Sequence, residues 1–227
     1  MIMISASKIR KSYREGDSSL QVLTNINLSV ELGELVSITG QSGCGKSTLL
    51  HILGLLDEAD GGELLMKGSP VSAMNRNSVQ FRSRHIGFIF QFHYLLEDLT
   101  AEENLALPLL IQGIPYAKCL STAGEWLKKL DLYERKNHYP STLSGGEQQR
   151  IAIGRAMIHQ PDIVLADEPT GNLDPLHSSD VLSLMLDMQE QFGQTFIIVT
   201  HNKEIAEKAD RQYKLENGIL VEHNKIL

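Results

Sequence analysis

Gly40-Gln41-Ser42-Gly43-Cys44-Gly45-Lys46-Ser47-Thr48 is the stretch whose reading decides the fold. It fits the pattern G-x-x-x-x-G-K-S/T, whose glycines let backbone N–H groups wrap phosphate oxygens. The flanks give the pattern its context. Leu35-Val36-Ser37-Ile38-Thr39 is short, apolar and β-branched, and reads as a buried strand. Leu49-Leu50-His51-Ile52-Leu53 is apolar at helical spacing. Strand, glycine loop and helix together turn a row of N–H groups and a helix N-terminus toward an anion. In such a loop Lys46 reaches the β- and γ-phosphates of a nucleotide, and the Ser47 hydroxyl ligates Mg²⁺.

Working outward, the 227 residues suit one large domain, or one domain with an inserted subdomain. Hydrophobic content of 42% and charged content of 22% are those of an ordinary globular protein. Twenty-one basic against 28 acidic residues give a net charge of −7, which disfavours nucleic acid as a main partner. No apolar stretch approaches the roughly 20 residues that span a bilayer. The N-terminus has neither a charged leader nor a long apolar core, so it does not read as a signal peptide. Cys44 and Cys119 are far apart and show no metal-ligand spacing, which suits a reducing cytosol.

The first part reads as β-rich. Ile26, Leu28 and Val30 alternate with polar residues, and Asp60-Gly61-Gly62 turns into a strand over 63–67. Ile86 to Phe90 is a further strand, ending at Gln91. Residues 92–143 read as a helical insert. Thr100 and Glu103 form a capping box, Pro108 should kink or end that helix, and a second helix runs from about Tyr116 to Leu130. Ile163-Val164-Leu165-Ala166 and Phe196-Ile197-Ile198-Val199 are continuous apolar runs, the mark of parallel strands covered on both faces. The tail around Asn217-Gly218 reads as a hairpin.

The strand from Ile163 ends in two acids. Asp167 is placed to complete the Mg²⁺ shell begun by Ser47, and Glu168 to take a proton from an attacking water. Leu143-Ser144-Gly145-Gly146-Glu147 opens a helix with a second capping box. Two glycines in a first turn are poor helix formers, and they make sense if a phosphate approaches the backbone. Gln91 and His201 each end a strand that would deliver its side chain to the same crevice.

Along essentially its whole length the chain resembles the ATPase subunit of ATP-binding cassette (ABC) transporters. The matches are the phosphate loop at Gly40 to Thr48, a glutamine loop at Gln91, and the signature from Leu143 to Glu147. Asp167-Glu168, Asn172-Leu173-Asp174 and a switch histidine at His201 complete the set, and Tyr13, after an N-terminal strand, fits the aromatic that stacks on adenine. Two departures are small: Cys44 inside the phosphate loop, and Asn202 in place of the acid that often follows the histidine. The resemblance implies an α/β phosphate-loop NTPase fold of the ABC ATPase type, with an antiparallel β subdomain. Residues 1–227 would form one domain, its core 1–91 and 144–227 and its helical subdomain 92–143. It implies binding of ATP and Mg²⁺ through Tyr13, Gly40, Ser42, Gly43, Cys44, Gly45, Lys46, Ser47 and Thr48, with Ser47, Gln91 and Asp167 at the metal. Glu168, His201, Gln91 and Lys46 would carry hydrolysis. Ser144, Gly145, Gly146 and Asp174 would act on ATP held by a second copy, in a head-to-tail homodimer formed on ATP binding.

Gln91-Phe92-His93-Tyr94-Leu95-Leu96, Leu99-Thr100-Ala101-Glu102-Glu103-Asn104 and Leu107-Pro108-Leu109-Leu110 are similar to the lipoprotein-releasing branch of the family. The macrolide-exporter and cell-division branches share much of this, including Ala166 to Asp174, and remain the alternative. The branch implies a peripheral protein on the cytoplasmic face of the inner membrane, docked on integral membrane subunits through the 91–110 region. A chromosome or DNA-repair ATPase would carry coiled-coil arms, and no heptad run is present. A ribosome-associated factor would join two cassettes in one chain. A cassette that binds ATP without turnover would lack Glu168 or His201.

Overall fold

Two long strands, β1 (Ile2–Glu15) and β2 (Ser18–Glu31), open the chain. β3 (Leu35–Thr39), α1 (Lys46–Leu53), β4 (Gly61–Met66), the two-residue β5 (Ser69–Pro70), α2 (Ser78–His85) and β6 (Ile86–Ile89) follow. Three helices come next, α3 (Ala101–Ile111), α4 (Tyr116–Lys129) and α5 (Gly145–Met157). The chain closes with β7 (Ile163–Asp167), α6 (Pro175–Phe192), β8 (Thr195–Val199), α7 (Lys203–Lys208), β9 (Arg211–Glu216) and β10 (Ile219–His223). This computed structural model describes residues 1–16 and 18–223, so the far end of the domain expected over 1–227 lies outside the described residues.

The strands form two sheets. One is antiparallel with order β2-β1-β4-β5, and the other has order β10-β9-β3-β8-β7-β6. In the second, β9, β3, β8, β7 and β6 run parallel, and β10 is an antiparallel edge. The β9–β10 turn puts Asn217 at φ 50° and Gly218 at φ 74°, the two positive values a tight hairpin requires.

The apolar runs divide by alternation. Val164, Ala166, Phe196 and Ile198 face a core shared with α3, α4, α5 and α6. Ile163, Leu165, Ile197 and Val199 face the other core, shared with α1 and the antiparallel sheet. One strand thus feeds both layers, and a charged residue inside either run would disrupt a core. Each fully buried Val, Leu or Ile contributes about 1.5–3 kcal/mol of transfer free energy.

Two local features differ from expectation. Pro108 does not end α3, which runs on to Ile111 with Pro108 in its last turn. There the missing N–H removes one bond, to the Asn104 carbonyl. The second is α2, a helix that no apolar period announces: within Ser78–His85 only Ser78 is buried.

Candidate active site

Because β3, β8, β7 and β6 run parallel and adjacent, their C-terminal ends share one edge of the sheet. Each is followed within two residues by a predicted site residue: Gly40 after β3, Gln91 after β6, Asp167 and Glu168 at β7, His201 after β8. Ligands of open α/β sheets bind at such an edge. A cavity of about 620 Å³ lies there, lined by Tyr13, Gly40, Ser42, Gly43, Gly45, Lys46, Ser47, Thr48, Gln91, Asp167, Glu168 and His201, together with Val22.

Within the phosphate loop the Cys44 N–H donates to the Gln41 carbonyl at 3.3 Å, and Gly43 and Gly45 take the positive φ values of the turn into α1. Gly45, at φ 103°, precedes α1, and a Cβ there would come within 2.6 Å of Val22 Cγ1. The Lys46 ammonium donates to the Gly40 and Gln41 carbonyls at 3.0 and 2.9 Å, which satisfies a charge that is only 9% exposed. Phosphate oxygens offer it stronger, charge-assisted bonds. Cys44 does not line the cavity. It packs against the apolar core beneath the loop, so only its backbone is available to a phosphate.

Ser47 and Asp167 line the cavity together, and the Asp167 carboxyl is pushed above its ordinary range by burial, with Ser47 opposing. No group of three or more His, Cys, Asp or Glu able to hold a metal occurs among the described residues. Mg²⁺ asks for less, because it keeps several waters and binds through one or two protein oxygens plus phosphates. Ser47 and Asp167 fit that donor set. Gln91 lines the same cavity, and its amide donates to Asn172 Oδ1 at 3.1 Å, while Asn172 donates back to the Gln91 carbonyl at 3.0 Å. The pair ties the glutamine loop to the loop before α6.

Glu168 sits at φ 45°, a left-handed conformation that costs a non-glycine residue about 1–3 kcal/mol. Its Oε2 accepts from the His201 backbone N–H at 3.1 Å and lies 2.8 Å from His201 Nδ1. Asn202, the departure noted above, caps α7 by accepting from the Glu204 N–H at 2.9 Å. Tyr13 lies within β1 rather than after it.

The signature residues are elsewhere. Ser144 and Gly146 line a separate cleft with Asp131, Arg150 and Asp180. The capping box is present: the Glu147 N–H donates to Ser144 Oγ at 3.3 Å, and the Ser144 N–H to Glu147 Oε2 at 2.8 Å. Arg135, which the sequence did not single out, donates to Glu147 Oε1 at 2.9 Å. Gly145 approaches Leu173, and Asp174 directly precedes α6. None of Ser144, Gly145, Gly146 and Asp174 lines the nucleotide cavity of its own chain.

A third feature is an apolar groove of about 430 Å³, with Leu56, Val79, Phe88, Leu96, Pro108 and Ile111 on its walls. Beside it Phe92, Tyr94 and Leu96 are exposed, while Leu95 turns into the core. Arg155 of α5 holds this loop by donating to the His93 and Tyr94 carbonyls at 2.6 and 2.7 Å. Burial pushes its guanidinium down to about 10. Asn104, fully buried, ties the loop to α3 by donating to the Leu96, Leu99 and Thr100 carbonyls.

Comparison with known proteins agrees with this geometry. The family model described as ABC transporter matches residues 23–171. The chain belongs to the ABC transporter family. It is an ATPase subunit of that family, with the family's α/β cassette fold. It is 46% identical over 220 residues to the lipoprotein-releasing system ATP-binding protein LolD of Porphyromonas gingivalis, covering 96% of this chain and 99% of that protein. It is 45% identical over 219 residues to LolD of Alcanivorax borkumensis, covering 96% of each. Among solved structures it resembles the ATP-binding cassette MJ0796, a dimer in a post-hydrolysis state bound to ADP and Pi. The TM-score is 0.90 at 36% identity, covering 98% of each chain.

Proposed function

We propose that this ABC cassette hydrolyses Mg-ATP as a head-to-tail homodimer and powers the release of lipoproteins from the inner membrane. The observation that carries the dimer is the separation of two half-sites: the phosphate loop, Asp167, Glu168 and His201 line one cavity, and Ser144 and Gly146 line another. Ser144 and the glycine turn that opens α5 then have a use against the γ-phosphate of a second copy. Within each chain Lys46 binds the β- and γ-phosphates, and Tyr13 stacks on the base. Ser47 and Asp167 hold Mg²⁺, which neutralises developing charge on the phosphoryl group. Glu168 accepts the proton of the attacking water on the oxygen that His201 leaves free. His201 orients that carboxylate, and Gln91 reports the state of the site to the loop that follows it.

The reading also divides the domain into a nucleotide-binding core (1–91 and 144–227) and a helical subdomain (92–143). It seats integral membrane subunits on the 91–110 region, where exposed Phe92, Tyr94 and Leu96 border an apolar groove. The protein is then peripheral on the cytoplasmic face of the inner membrane. Similarity to the LolD proteins supports lipoproteins as cargo over the macrolide-exporter and cell-division alternatives. Depleting the chain in its host and fractionating the membranes tests the cargo. Lipoproteins should accumulate in the inner membrane, and an unchanged distribution would overturn that assignment. Proteins that co-purify from detergent extracts should be integral membrane subunits.

A further inference from the structure

Four successive residues of β1 are gripped by one short segment after α1. The Asp60 N–H donates to the Arg10 carbonyl at 2.8 Å, and Asp60 Oδ2 accepts from the Ser12 N–H at 2.7 Å. The Lys11 ammonium, on a residue only 8% exposed, donates to Asp57 Oδ1 at 2.7 Å and to the Glu58 carbonyl at 2.6 Å. The Tyr13 hydroxyl donates to the other oxygen, Asp57 Oδ2, at 2.7 Å. Lys11 and Tyr13 stand two apart on one strand and so share a face. The Lys11 ammonium lies over the Tyr13 ring, 5.1 Å from its centre. The phenol is thus pinned at its tip by Asp57 and covered from one side by Lys11, while the ring lines the nucleotide cavity.

We propose that Asp57 is a positioning residue for the nucleotide base: with Lys11 it locks the Tyr13 ring in the plane that the base stacks on. The inference rests on the reading of Tyr13 as the base platform. It adds the device that orders the platform before ATP arrives. Tyr13, near the end of β1, is 41% exposed, and an aromatic there would otherwise sample several rotamers. Fixing it in advance removes an ordering cost from each binding event. Asp57 follows the helix that begins at the phosphate loop, and Thr48 of that helix lines the same cavity as the Tyr13 ring. The base platform on β1 is therefore tied to the segment that leaves the phosphate-loop helix. The Asp57 carboxyl shows the same ties: burial would raise it, but the bonds from Lys11, Tyr13 and the Glu58 N–H hold it below its ordinary range.

The test compares Asp57→Asn, Tyr13→Phe, their double variant and Tyr13→Ala in the full chain. Equilibrium binding is read with ATP and with inorganic tripolyphosphate, which has no base, and steady-state ATPase is run alongside. Asp57→Asn should weaken ATP binding and raise KM about fivefold, the scale of one lost hydrogen bond, while kcat at saturation and tripolyphosphate affinity hold within about twofold. Tyr13→Phe should reproduce it, and the double variant should add nothing further. An equal loss of ATP and tripolyphosphate affinity would mean that Asp57 merely supports the loop, and the proposal fails. If Tyr13→Ala weakens ATP binding and Asp57→Asn does not, the positioning role alone is refuted. If Tyr13→Ala is itself silent, the base platform falls and takes the positioning role with it.

Discussion

Glu168→Gln separates chemistry from binding in this site. The change keeps the shape and removes the base. In the structure Glu168 Oε2 accepts from the His201 N–H and faces His201 Nδ1, and a glutamine amide oxygen can keep the first of these contacts. The left-handed backbone at φ 45° strains either side chain equally. Folding stability should therefore change by less than about 1 kcal/mol, a Tm shift below about 4 °C for a domain of this size. Turnover should fall by about 10²–10⁴-fold, the usual contribution of a general base, or about 3–5 kcal/mol of barrier. The lost charge also removes repulsion with the γ-phosphate. At an effective dielectric near 20 and separations of about 5–8 Å, that repulsion is about 2–3 kcal/mol. ATP should then be held at least as tightly as by the parent, and an ATP-bound dimer should accumulate. Phosphate release measures the first effect, and size-exclusion chromatography in Mg-ATP measures the second. Hydrolysis within about threefold of the parent would show that Glu168 is not the base. Lost ATP binding would show that the carboxylate holds the site together rather than acting on water.

Ser144→Arg should block hydrolysis yet leave nucleotide affinity nearly intact, because Ser144 lies outside its own chain's cavity. Mixed with Lys46→Ala it should regain activity through the one composite site left whole, and mixtures as dead as either variant would refute the arrangement in trans. Joint replacement of Tyr94 and Leu96 by Ser should leave the isolated subunit's ATPase normal and abolish co-purification of membrane subunits; insoluble protein would show that these side chains support the fold. Glu103 is held below its ordinary range of 4.5, first by the Thr100 backbone N–H and then by its hydroxyl. A lowered folded value means the stability it adds is present above about pH 4.5 and is lost as pH falls through that lower value. Glu103→Gln should flatten the acid limb of a Tm-against-pH curve, and an unaltered limb would rule the capping contact out as a contributor.

What was legible in the sequence follows from how far apart the interacting residues lie. The phosphate loop, the capping boxes at Thr100 and Ser144 and the apolar strands depend on spacings of a few residues, and all stand where the pattern put them. The convergence of Gln91, Asp167, Glu168 and His201 needs one further step, that parallel strands end on one edge, and continuous apolar runs supply it. Helix α2 escaped because its formation owes little to its own apolar pattern; Arg82, for one, ties it to the Leu55 carbonyl. The direction of Cys44 escaped because loop side chains follow no period. The clamp on Tyr13 escaped for a different reason. Asp57 lies 44 residues from Tyr13 and 46 from Lys11, so their meeting depends on how β1 is laid against the segment leaving α1. Half the clamp was still within reach: a lysine two positions before the aromatic shares its strand face and must cover it or find an acid. A strand that presents a functional aromatic should therefore be read at its second-neighbour positions too, since those side chains set how much freedom the aromatic keeps.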